Sequence, residues 1–116
     1  MKVTRIEDAK TYQADKHSGG HLLRLQGFEA SESINFWVGL SHFLPGGGAE
    51  HSATPLEKVY VVLEGEVTIT TDDGDTILEP LDSCYLAPNE GRSVENRTNL
   101  PASMLVIMPY PENVKR

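Results

Sequence analysis

One cysteine in 116 residues, Cys84, excludes an internal disulfide and any cysteine-rich zinc site. Histidine is confined to the first half: of four, His51 is the last, so nothing downstream supplies an imidazole. Cations are the minority, ten Lys and Arg against seventeen Asp and Glu, and the net charge of −7 opposes binding to a phosphate backbone. The longest apolar runs, Val59–Leu63 and Met104–Met108, reach five residues, where a membrane helix needs about 20. The opening segment from Met1 to Tyr12 carries Lys2, Arg5, Glu7, Asp8 and Lys10 and lacks the apolar core of a secretory signal. These absences predict a protein of the reducing cytoplasm with no nucleic-acid and no membrane partner. The sequon Asn96-Arg97-Thr98 then has no glycan meaning. No Gly-x-Ser-x-Gly elbow, phosphate-cradling loop or dinucleotide fingerprint occurs either.

What is present is punctuation. Turn signals fall at Pro45–Gly48, Glu64-Gly65, Asp73-Gly74, Pro80–Asp82, Pro88–Gly91, Asn99–Pro101 and Pro109. After Gly65 they recur about every eight to ten residues, which leaves room for strands and none for helices. Lys58–Leu63, Glu66–Thr71 and Met104–Met108 are rich in β-branched, aromatic or apolar residues. Val67 and Ile69 alternate toward a core, and Thr71–Asp75 reads as a hairpin loop with Gly74 at positive φ. Upstream, Leu22–Leu25 and Ile34–Phe43 read as strands, and Ile6–Tyr12 as a helical turn at most. The expectation is one all-β domain, residues 1–116, with a looser N-terminal segment.

The stretch Leu44-Pro45-Gly46-Gly47-Gly48-Ala49-Glu50-His51, followed by Glu57–Val67, resembles the first motif of the cupins. Leu81–Pro88 through Asn96 resembles the second, and the apolar strand Ala102–Met108 follows. The likeness spans about residues 37–108. It implies a double-stranded β-helix, a jelly-roll barrel with a pocket, often as a homodimer. Metal-binding cupins carry His-x-His and Glu in motif one and His in motif two. Against that pattern His51 takes the first histidine position, and Ala53 stands two residues on. Counting seven back from Gly65 puts Lys58 where the ligand Glu belongs, with Glu57 one residue off. A one-residue slip turns a strand side chain to the other face, and a β-bulge near Pro55 would return Glu57 to the pocket. Taking Asn96 as the motif-two asparagine puts Arg92 at the remaining ligand position, and Arg has no lone pair to give a metal.

Lys58 and Arg92 therefore have two readings. Either fixed positive charge receives a small anionic molecule, or Glu57, Glu90 or Glu95 neutralises it internally. Tyr60 shares the parity of Lys58, and with His51 and Asn96 completes the expected ligand-binding set. His51 has further readings as a general base or a wall residue. A hairpin at Pro45–Gly48 would set His42 opposite His51, giving with Glu57 a site for a divalent transition metal. His17 and His21 flank Ser18-Gly19-Gly20 and read as surface loop residues. Residues of both parities from Phe36 to Leu44 are apolar, so this strand is expected to be covered on both faces, by the core and by a dimer partner or the N-terminal arm. The expectation is a small-molecule-binding cupin with no cofactor favoured. The alternatives are an isomerase, lyase or dioxygenase type of enzyme using His51, with or without metal, and a structural dimer with a filled barrel.

Overall fold

Alternating apolar and polar residues make strands wherever the turn residues allow, and the computed structural model, which describes residues 1–114, follows that pattern. A single 3-10 turn at Ile6–Asp8 precedes β1 (Lys10–Thr11) and β2 (His17–Gln26). The long β3 (Trp37–Ser52) leads to β4 (Lys58–Glu64), β5 (Val67–Thr71) and β6 (Gly74–Leu78). Then come β7 (Ser83–Leu86), β8 (Arg92–Glu95) and β9 (Ala102–Met108). All pairings are antiparallel, in the order β6-β5-β8-β3-β9-β4-β7, with β2 on β3 and β1 on β2. The result is the expected jelly-roll barrel, all-β and nearly closed.

The barrel depends on β3 turning a corner. Its first half, Trp37–Phe43, pairs with β9, and its second half, from Gly48 to Ser52, pairs with β8. The bend falls at Leu44–Gly47, where Gly46 takes φ +84°, a region that favours glycine. Pro45–Gly48 is thus a corner inside one strand and not a reversal. His42 and His51 stand in the same strand, and the hairpin expected to oppose them does not form.

Period-two alternation sorts the side chains. Leu22, Phe43, Tyr60, Val62, Val67, Ile69, Leu86, Val94 and Met104 pack inside as the core, so Val67 and Ile69 do what their spacing predicts. The Asp72-Asp73 turn joins β5 to β6 with Gly74 at φ +107°, again as predicted. The strand expected at Leu22–Leu25 is longer, because β2 follows β3 around the corner to His17. Ile34 to Phe36 lie outside β3 and are exposed or loop. On the outer face, Leu23, Leu40, Leu105 and Val61 stand in one row across β2, β3, β9 and β4. Val38, Ile107, Val59 and Tyr85 form the next.

Candidate functional site

A cavity of about 470 Å³ opens inside the barrel, within the range that holds small ligands. Its floor is apolar, with Phe43, Val94, Met104 and Val106, and its rim is built by Tyr12–His17 from the N-terminal arm. The arm reaches in because Gly39 has no side chain: a Cβ there would lie 2.6 Å from the Tyr12 hydroxyl. Lys58, Tyr60 and Arg92 all line this cavity, on β4 and β8.

Lys58 is 4% exposed and Arg92 6%, both unusual for charged residues. The Arg92 guanidinium is fixed by three bonds. Its Nε donates to Tyr60 Oη at 2.8 Å, and its Nη1 donates to Ser52 Oγ at 2.9 Å and to the Glu50 carbonyl at 3.2 Å. Nη2 has no protein acceptor among the described residues. Lys58 Nζ donates to Thr54 Oγ1 at 3.2 Å and to nothing else described. No carboxylate pairs with either cation among the described residues. The three acids expected to neutralise them are engaged elsewhere. Glu57 accepts from the Tyr85 hydroxyl, Glu90 from the Ala87 amide, and Glu95 from Arg97. Burial, reinforced by the neighbouring Arg92 charge, lowers the Lys58 pKa, and Glu90 offsets part of this. Burial raises the phenols of Tyr60 and Tyr12, the latter to about 12.

His51 does not line the cavity. Ala49 faces inward opposite Val94, but Ser52 pairs with Arg92, so β3 carries one residue more than β8 between these pairs. That bulge leaves Glu50 and His51 both exposed and turns Ser52 inward. The i, i+2 pair aimed at the cavity is therefore Ser52 and Thr54, in place of the expected His51 and Ala53. His51 rests against Gly91. Glu57 points away, as its parity with Lys58 requires, and no bulge near Pro55 recovers it. His42 lies on the opposite face, its Nδ1 2.8 Å from Ser103 Oγ. His42, His51 and Glu57 are thus not brought together, and no group of three or more His, Cys, Asp or Glu among the described residues is placed to hold a metal.

Asn96 is fully buried but outside the cavity. Its Nδ2 donates to the carbonyls of Phe43 and Leu100, and its Oδ1 accepts from Thr98, so it fastens the β8–β9 turn to the β3 corner. His17, expected on a surface loop, begins β2 and lines the cavity, with Nδ1 2.8 Å from the Asp15 carbonyl. Burial and then the Arg92 charge lower its pKa, against the opposing pull of Asp15. Tyr12 of the arm, His17 and Arg24 of β2, and Phe28 and Trp37 are cavity residues that motif spacing gave no reason to select.

The inward positions 52, 54, 58 and 92 carry Ser, Thr, Lys and Arg. Two neutral hydroxyls and two cations do not suit a divalent ion, whose ligands are imidazoles, thiolates and carboxylates.

Residues 39–108 match the family model described as Cupin domain. The Mycobacterium tuberculosis (strain ATCC 25618 / H37Rv) protein named Beta-D-galactosidase Rv1717 is 48% identical over 111 residues, 96% of each chain. The polyketide cyclase RemF from Streptomyces resistomycificus superposes with a TM-score of 0.83 at 17% identity, over 94% of this chain and 79% of that one. A predicted oxalate decarboxylase from Thermotoga maritima gives 0.77 at 20% identity, over 96% and 100%. At such identities the two structures are alike in fold alone.

Proposed function

The chain belongs to the cupin domain family, and on that footing we propose that it binds a small anionic molecule inside its barrel. One observation carries the reading: two buried cations, Lys58 and Arg92, line one cavity and neither has a carboxylate partner among the described residues. Buried charges normally find counterions, because desolvation costs several kcal/mol per ion. A ligand carboxylate or phosphate is the counterion that fits. Arg92 Nη2 and two of the three Nζ donors of Lys58 have no acceptor among the described residues, and both side chains line the cavity, so they are available as charge-assisted donors. A cytoplasmic setting and a homodimer joined through the Leu40–Leu105 face complete the proposal.

The name of the mycobacterial relative favours a second reading, an enzyme acting on galactosides. Hydrolysis by paired carboxyl groups needs two of them about 5 to 9.5 Å apart. Asp15 is the only acid lining the cavity among the described residues, so this chain offers no such pair there. Acid–base chemistry in the barrel would fall to His17, Tyr12 or Tyr60, since His51 lies outside it. A sugar acid would serve both readings, with its carboxylate on Lys58 and Arg92.

A thermal-shift screen of small carboxylates, sugar acids, phosphates and neutral sugars tests the proposal, with a chromogenic β-galactoside assayed in parallel. A ligand that binds only the folded state raises stability by RT ln(1 + [L]/Kd). Anions should raise Tm and neutral sugars should not, and Arg92→Gln should remove the shift. Absence of any anion shift defeats the reading, and turnover of the galactoside replaces it with the second.

A further inference from the structure

One buried charge is left over. Arg24 stands on β2 with its side chain 11% exposed. Its guanidinium carbon lies 4.1 Å from the ring centre of Tyr12, 4.0 Å from Phe28 and 4.9 Å from Trp37. Trp37 meets the other two rings edge-on at 5.7 Å, so the three form a fixed box around the cation. Rings attract a guanidinium but offer no in-plane acceptor to its five N–H donors. No hydrogen bond from Arg24 to any described residue exists, and its Nε is fully buried. The carboxylate of Glu29 stops 3.9 Å from Nη1, beyond hydrogen-bond length.

A purely structural peg would not need those donors. Clamping the arm, β2 and β3 together requires only an apolar or stacked side chain. Although Glu29 and the three rings offset the charge, a buried N–H donor without an acceptor is costly. Arg24, Tyr12, Phe28 and Trp37 all line the same cavity as Lys58 and Arg92. Tyr12 lines that cavity too, with its ring centre 4.1 Å from the Arg24 guanidinium carbon.

We infer that Arg24 is a second ligand-binding pole, and that the barrel takes a dicarboxylate with one end on Lys58 and Arg92 and the other on Arg24. The guanidinium edge matches a carboxylate in two parallel bonds, and the apolar wall accepts the spacer between the two ends. The inference rests on the proposed anion site and extends it to the ligand's far end.

Calorimetry with linear dicarboxylates of increasing length, each beside the monocarboxylate of equal chain length, tests it on the whole chain. One length should bind at least tenfold tighter than its monocarboxylate twin. Arg24→Gln should erase that advantage, so that the dicarboxylate and its monocarboxylate twin bind alike, and Arg24→Lys, which keeps the cation, should retain part of it. Circular dichroism checks that both variants fold, and the wild-type comparison stands without them. If monocarboxylates bind but no dicarboxylate gains, Arg24 is no second pole and the anion site survives. If Arg24→Gln weakens both ligands equally, Arg24 is a structural peg and the inference falls. If no monocarboxylate binds at all, the proposed function itself is lost.

Discussion

Arg92 on β8 donates a hydrogen bond from its Nε–H to the Tyr60 hydroxyl on β4, across 2.8 Å of the barrel interior. The bond joins two strands that are not neighbours in the sheet, and it fixes the guanidinium plane toward the cavity. Tyr60→Phe keeps the ring and removes the acceptor, stranding a buried charged donor. The expected loss is about 1.5–3 kcal/mol by urea unfolding, the range for hydrogen bonds to charged groups. A change under about 0.5 kcal/mol would mean that water replaces the phenol.

Lys58 sets stability against function. Burial depresses its pKa, so the native state disfavours the charged form that the unfolded chain carries up to its ordinary 10.5. Without ligand, its unfavourable contribution is present below the folded pKa and fades as pH climbs toward 10.5. Lys58→Met, which discards the buried charge and keeps the bulk, should raise stability at pH 7 by roughly 1–3 kcal/mol. The same variant should bind anions at least tenfold more weakly. In the wild type, affinity should fall as pH rises through the depressed lysine pKa, with proton uptake on binding seen as a buffer-dependent heat.

His17 supplies an acid-side signature. Its folded pKa lies below 6.5, so below that value the unfolded state binds more protons and stability drops. Above pH 6.5 the contribution is complete, and His17→Gln should flatten this part of the profile. NMR titration should place the imidazole below 6.5 when free. An anion on Arg92 should move it upward, because Arg92 is one of the groups that depresses it.

The barrel was legible in the sequence because its signals are local. Turn residues at short intervals and the Val67/Ile69 alternation dictate strands wherever they occur, whereas Lys58 and Arg92 stood out only through the resemblance to the cupin motifs, with Tyr60 sharing the parity of Lys58. Two misplacements have one cause, an irregularity in β3. A corner at Gly46 looks like a turn in one dimension, and one extra residue at Glu50–His51 turns Ser52, not His51, to the face of Ala49. Tyr12, His17 and Arg24 were hidden for another reason. They reach the cavity from the arm and β2, by contacts far apart in the chain that no period encodes.

The outer sheet face makes a prediction about assembly. Leu40, itself buried within the single chain, stands in a row with half-buried Leu105 and Val61, beside half-buried Val38, Ile107 and Val59. A face of this composition is covered in most soluble proteins. Light scattering after gel filtration should give a dimer, and Leu105→Lys a monomer with unchanged circular dichroism. A wild-type monomer at micromolar concentration would remove the homodimer from the proposal.

The bulge in β3 can be tested through metal chemistry. If positions 52, 54, 58 and 92 face the cavity together, then Ser52→His, Thr54→His, Lys58→Glu and Arg92→His combined place three imidazoles and a carboxylate around one point. That variant should hold one equivalent of a divalent transition metal through dialysis and gain Tm when it is added. The control uses the rejected register: Ala53→His, Lys58→Glu and Arg92→His with the native His51. Strands alternate faces, so His51 and the new residue 53 would point away, and this control should retain no stoichiometric metal. Equal retention by both variants would show that the β3 edge shifts register readily, and would return His51 to the candidate ligands.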